Sequence, residues 1–214
     1  MKILFFTRST WYSEIAKNFL KQNFDSIIIC ENEKDFLFKE EYFDYIIALG
    51  YQNILSAKLI KKARKAALNF HPGSTHNPGA GSYSYPLFLK QENSGVTCHY
   101  MDDTPDTGKV VMEKIFPIYV SDDFNSLKER TIIYLMQCFF EILDLIKNNN
   151  DLPESPEQWK RKPRSQKEFT RELLDLNINE LNNKEIDLRI KSTNPNYPGP
   201  YIVIKNKKYS LRSI

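Results

Sequence analysis

Short apolar runs separated by helix-length polar stretches constrain this chain more than any other feature. Ile3–Phe6, Ser26–Cys30 and Tyr45–Leu49 are nearly continuous in apolar residues, without the alternation of a half-exposed strand. Such runs mark strands covered on both faces, as in a parallel sheet closed by helices. After the first run Thr10 is placed to cap a helix, with Trp11, Ile15 and Phe19 spaced by four along one stripe. Ser56–Ala66 predicts a further helix, its Lys/Arg excess near the C-terminus suiting the helix dipole. Ala67–Phe70 then returns as a strand. This order predicts an α/β fold, a doubly wound and mostly parallel sheet. Ligands of such sheets bind outside the carboxyl ends of the strands.

Gly95–Met101 and Val110–Ile118 read as strands flanking a turn-rich loop, and Asp123–Lys147 as a long helix apolar on most sides. That helix reads as core. Asn148–Asn150 stops it, and the composition then shifts. Pro153, Pro156 and Pro163 accompany a basic cluster at Lys160, Arg161, Lys162 and Arg164. A boundary is expected there, dividing a catalytic domain over 1–150 from an extension over 151–214 that docks on it. Short helices are expected around Glu168–Asn177 and Glu185–Ile190. A closing β-hairpin should pair Tyr201–Ile204 with Tyr209–Arg212 across Asn206-Lys207.

Two elements carry chemistry: NFHPG at Asn69–Gly73 and HYMDDTPDTGK at His99–Lys109. Asn69 and His71 are two apart, so on a strand their side chains share a face. Asp106 lies in the loop Thr104–Gly108, from which a strand-end turn delivers it to the same place. A donor, a base and an orienting acid are what acyl transfer to an amine requires. An Asn-x-His-Pro string on its own is also ordinary turn chemistry, and the second element is what favours catalysis.

Net charge is only +3, from 30 basic and 27 acidic residues. That argues against nucleic acid and leaves room for an anionic small substrate. The first crossover reads Arg8-Ser9-Thr10-Trp11, without the G-x-G-x-x-G of dinucleotide sites, so a nicotinamide cofactor is not expected, nor is a metal. Cys30, Cys98 and Cys138 form no CxxC and should be buried free thiols, which fits a reducing cytoplasm. The opening apolar run is too short for a signal peptide, and no stretch approaches the roughly 18 apolar residues of a membrane helix. A cytoplasmic protein without membrane partners is expected.

On Asn69, His71, His99, Asp106 and Gly108 the chain resembles the folate-dependent formyltransferases, over most of residues 1–120. Its tail STNPNYPGPYIVIKNKKY and the loop HPGSTHNPGAGSYSYPLF resemble the branch acting on dTDP-linked amino sugars. The resemblance implies 10-formyltetrahydrofolate as co-substrate and a dTDP-amino sugar, aminated at carbon 4, as acceptor. It further implies a role in surface polysaccharide (O-antigen) synthesis, and a homodimer. Asn69, His71 and Asp106 would be catalytic. Leu49, Gly50, Tyr51, Asp102, Asp103 and Asp106 would wrap the pterin, where a bare reading sees surface turns. His76 and Gly79, with Tyr197 and Tyr201, would meet the sugar nucleotide. From the residues alone, His76 meets either phosphate or solvent, the tyrosines either stack on a base or bury, and His99 either orients Asp106 or is a satisfied core residue. The basic cluster at Lys160–Arg164 either meets a diphosphate or is solvated. Two departures stand out. Gly73 replaces the Ser that follows His-Pro in many relatives, and the first crossover lacks the glycine-rich phosphate loop of the glycinamide ribonucleotide enzyme. A methionyl-tRNA enzyme would need a larger carboxy-terminal domain. The alternatives are formylation of another amine, such as glycinamide ribonucleotide, and a non-catalytic folate- or nucleotide-binding module.

Overall fold

The structure, a computed structural model, describes all residues except 33, 35–40, 178–179, 197–198 and 212–214. Six strands form one sheet: β1 (Lys2–Phe6), β2 (Ser26–Cys30), β3 (Phe43–Leu49), β4 (Ala63–His71), β5 (Asn93–Tyr100) and β6 (Val110–Pro117). Their order is β2-β1-β3-β4-β5-β6. The pairings β1–β2, β1–β3 and β3–β4 are parallel, whereas β4–β5 and β5–β6 are antiparallel. The apolar runs alternate between two cores, as period-two strands buried on both faces must. Ile3, Phe5, Tyr45, Ile47, Leu68, Phe70, Val96 and Cys98 face one core, shared with helices α1 (Trp11–Asn23) and α4 (Phe124–Lys147). Leu4, Phe6, Ile46, Ala48 and Ala67 face the other, closed in part by Leu59 of the short helix α2 (Ala57–Ile60).

Both long helices start at reciprocal caps. Thr10 Oγ1 accepts from the Ser13 amide at 3.2 Å and the Asp123 carboxylate from the Ser126 amide at 2.9 Å, with each serine hydroxyl accepting in return. The face of α1 differs from the expected stripe. Trp11 is 59% exposed and Ile15 46%, while Tyr12, Ala16 and Leu20 are buried. The apolar side chain at position 11 falls at the helix edge, because the docked stripe begins one residue later. The helix expected over Ser56–Ala66 is also shorter. Ala63 and Ala66 pair with Phe43 and Tyr45 in the sheet, so strand pairing overrides the helix propensity of KKARKA.

Beyond α3 (Tyr85–Phe88), the segment 151–165 runs without helix or strand across the β4–β5 side of the molecule. It leads to α5 (Gln166–Phe169), a π-helical turn (Thr170–Leu174) and α6 (Asn183–Ser192). The closing hairpin, β7 (Tyr201–Ile204) with β8 (Lys207–Ser210), is a separate two-stranded sheet. Its turn is Lys205-Asn206, not Asn206-Lys207. Both turn residues have positive φ, 47° and 62°, which suits the twist of a two-residue hairpin. Of the expected pairing partners, Arg212 lies outside the described residues. All three cysteines are buried and outside any disulfide. Among the described residues no helix is long and apolar enough to cross a membrane.

Candidate active site

The sheet assembles the polar centre before any loop contributes. On β4 the residues with odd numbers from Ala67 onward point away from α4, so Asn69 and His71 share the face opposite that helix. The antiparallel register then sets His99 opposite Asn69 and Thr97 opposite His71. A strand His is thus matched to the strand Asn by pairing alone. Asp106 arrives from the β5–β6 connection, whose base is closed by the Tyr100 amide donating to the Lys109 carbonyl at 2.9 Å. Within that loop the Asp102 carboxylate accepts from the Thr104 amide (3.0 Å) and the Thr107 hydroxyl (2.6 Å). Gly108 is packed so closely that a Cβ there would collide with the Tyr100 carbonyl oxygen.

The four side chains form one hydrogen-bonded group. Asp106 Oδ2 lies 3.1 Å from His71 Nδ1 and accepts from the Gly79 amide at 2.8 Å. Its Oδ1 lies 3.2 Å from His99 Nε2 and 3.4 Å from Asn69 Nδ2, and Asn69 Nδ2 lies 3.1 Å from His99 Nε2. His71, His99 and Asp106 are all buried. His99 Nδ1 faces the Tyr100 carbonyl at 2.8 Å and must donate to it. Its Nε2 then either accepts from the Asn69 amide or, when protonated, donates to Asp106. His71 Nε2 lies 3.0 Å from the Asn77 carbonyl. Both His71 nitrogens therefore face acceptors, and both contacts are hydrogen bonds only when the ring carries two protons.

Burial by itself would push the Asp106 carboxyl up. The charge of His71, the hydrogen bond and charge of His99 and the Gly79 amide together outweigh this, and the group is held well below the usual carboxylate range. Asp106 also sits at φ +51°, in the left-handed region that is uncommon for a residue other than glycine. Strain of this kind persists where the surroundings over-determine the conformation. Here four partners do so: His71, His99, Asn69 and the Gly79 amide.

The remaining expected residues fall in three groups. Leu49, Gly50 and Tyr51 end β3 beside this centre, with Gly50 at φ +64°. Tyr51, just after β3, and Met101, at the start of the 101–107 loop, both pack against the second core. Asp102 and Asp103 are exposed on the second loop. Gly79 joins the centre through its amide, and at φ +81° it lies against the Arg164 backbone. His76 is exposed, and no contact ties it to the group. Tyr201 is half-buried on β7, its carbonyl accepting from the Leu176 amide at 2.9 Å and its ring covered by Lys208 at 4.5 Å. Nothing described connects Tyr201 to the triad. Tyr197 lies outside the described residues.

The basic cluster is divided. Lys160 pairs with Glu157 at 3.0 Å, whereas Arg164 is buried with its guanidinium 3.5 Å from the centre of the Tyr85 ring. The sequence reading missed Trp159, whose ring stands edge-on to His99 at 5.1 Å and to His71 at 5.8 Å. The only signal was a lone large aromatic inside a proline-rich, charged stretch.

An open α/β sheet with an Asn-His-Asp group at its strand ends has counterparts among known proteins. The model of the formyl transferase family matches residues 6–141, and the chain belongs to that family. It is 26% identical over 101 residues to the GDP-perosamine N-formyltransferase of Brucella melitensis, covering 47% of this chain and 39% of that enzyme. A sugar N-formyltransferase from Shewanella superimposes with a TM-score of 0.79 at 18% identity, over 100% of this chain and 97% of that one. The N-formyltransferase of Helicobacter canadensis, solved with folinic acid and dTDP-3-aminofucose, gives 0.69 at 19% identity, over 97% and 86%. The chain spans under a tenth of the length of some curated relatives and about half of others.

Proposed function

We propose that this protein is a sugar N-formyltransferase, moving a formyl group from 10-formyltetrahydrofolate to the amine of a dTDP-linked amino-dideoxy sugar. The observation that carries the reading is the buried group in which Asp106 holds His71 and His99 while Asn69 sits beside them, in a chain of the formyl transferase family. A module that only bound folate or nucleotide would gain nothing from burying a carboxylate against two imidazoles. The sugar acceptor is supported by the likeness to the Shewanella and Helicobacter proteins over nearly the whole chain, extension included. The carbon-4 position, the part in surface polysaccharide synthesis, the cytoplasmic setting and a dimeric state follow from the same reading.

The residues present fit the folate. Gly50, at positive φ just after β3, would leave backbone donors and acceptors open to a flat ring, and Tyr51 would offer that ring apolar surface. Leu49–Tyr51 with Asp102 and Asp103 would hold it, and it would supply the formyl group. Asn69 Nδ2 is positioned to donate to the oxygen that gathers charge as the acceptor's amine adds to the formyl carbon. Its 3.4 Å contact to Asp106 is long enough to yield to that oxygen. His71 turns Nδ1 to Asp106, so Nε2 is the nitrogen left to serve the substrate, in exchange for the Asn77 carbonyl. It takes up the proton shed by the attacking amine, and Asp106 balances the imidazolium so formed. The proton ends on the nitrogen released from the formyl carbon.

The test is formyl transfer across dTDP-, GDP- and UDP-amino sugars and glycinamide ribonucleotide, read by a 28-dalton mass gain (about, for one formyl group replacing hydrogen). Transfer to a dTDP-amino sugar supports the reading, and transfer confined to glycinamide ribonucleotide would replace it.

A further inference from the structure

The extension reaches into the catalytic centre at one residue, and the geometry around it is specific. Trp159 Nε1 donates to the Gly108 carbonyl at 2.9 Å. Gly108 in turn is pressed against the Tyr100 carbonyl, which accepts from His99 Nδ1 at 2.8 Å. The same indole ring packs on both imidazoles. The chain that follows Trp159 is tied to the loop after β4. The Lys160 amide donates to the Thr75 carbonyl at 3.0 Å, the Arg164 amide to Pro78 at 3.1 Å, and the Ala80 amide back to Arg164 at 2.9 Å. Gly79, between Pro78 and Ala80, is the residue whose amide holds Asp106. The strap 159–164 therefore grips Asp106 from both sides, through Gly108 and through Gly79.

We propose that Trp159 is a positioning residue of the active centre, setting from the extension how His71, His99 and Asp106 are placed and shielded from water. This rests on the catalytic reading of that centre. An Asp in the left-handed region is held there by its partners, and removing one wall lets the loop relax. Water admitted beside the imidazoles would also weaken their interaction with the carboxylate, since charge pairs are stronger in a drier site. Among the described residues, the charged groups packed around this region are Asp106 itself, Glu113, which accepts from the Thr75 amide at 2.6 Å, and the buried Arg164, whose guanidinium covers the Tyr85 ring. The pairs Lys160–Glu157 and Lys109–Glu154 stand exposed at the rim.

The sequence has three histidines, and His76 is exposed on a loop without ties to the centre. A pH titration of 15N-histidine NMR signals on the full chain therefore contains its own reference. Trp159→Ala should move the midpoints of His71 and His99 while that of His76 stays. Turnover should fall about ten- to a hundredfold, the scale of a catalytic group displaced by about an ångström, with Michaelis constants little changed. Trp159→Phe keeps an aromatic wall on the imidazoles but loses the bond to Gly108, so it should recover only part of the lost turnover. If Trp159→Ala does not fold, Trp159→Phe carries the test through a shift at His99. Histidine curves that superimpose on wild type in a folded variant overturn the proposal, whatever happens to turnover. Since the titration needs no substrate, failure of the sugar assignment leaves this test standing.

Discussion

Replacing Asp106 by Asn removes one charge and almost no volume, so it separates the electrostatic work of the carboxylate from its packing. The side chain accepts from the Gly79 amide and faces both imidazoles at 3.1 and 3.2 Å. An amide oxygen can keep the Gly79 bond, but the amide nitrogen must then face His99 or displace it. His71 loses the partner that balances its charged form, the form the reaction needs after the amine sheds its proton. Positioned acid–base groups contribute about a hundred- to ten-thousandfold, and turnover of Asp106→Asn should fall by that range. Stability should change far less. Lost hydrogen bonds to a charged group cost about 1.5–3 kcal/mol each, but a buried carboxylate also carries a desolvation penalty that the amide avoids. The opposing contributions leave a net of about 1–2 kcal/mol, or a melting shift of a few degrees for a chain of this length. Formyl transfer read by mass, beside thermal denaturation of the same preparation, checks both. Retention of more than about a tenth of wild-type turnover would refute the role given to Asp106.

His71→Ala should lose turnover comparably, and the double variant with Asp106→Asn should be little worse than either alone, because the two act as one unit; additive losses would separate them. The stability that Asp106 contributes should be fully present above the ordinary Asp range, near pH 4, and be lost as pH falls through its lower folded-state value, because the unfolded chain takes up that proton first; in Asp106→Asn this part of the acid dependence should vanish from denaturant midpoints measured against pH. Gly73→Ser should impair turnover, since a Cβ there would come within 2.5 Å of His71 Nε2 and 2.8 Å of the Asn77 carbonyl; unaltered kinetics would show that the loop gives way freely. Tyr201→Ala should raise the apparent Michaelis constant for the sugar nucleotide and spare folate affinity; if both stay unchanged, the hairpin is packing alone.

The apolar runs by themselves determined the sheet's first strands and the two caps determined where the long helices begin, because burial on both faces and capping are local requirements. The pair Asn69/His71 was likewise legible, since period two puts both on one face wherever that strand lies. Its rotation toward or away from α4 was not legible. That depended on which neighbours filled the opposite core. KKARKA shows the same limit from the other side: its composition favours helix, and only the ladder to Phe43 and Tyr45 makes its alanines strand. His99 could be read as structural or functional until the antiparallel register set it opposite Asn69. Trp159, fifty-one residues beyond Gly108 in sequence, had no local pattern to announce its contact. Periodicity and capping act over a few residues and are written in the chain, whereas register and long-range docking are decided by which surfaces meet when the whole chain closes.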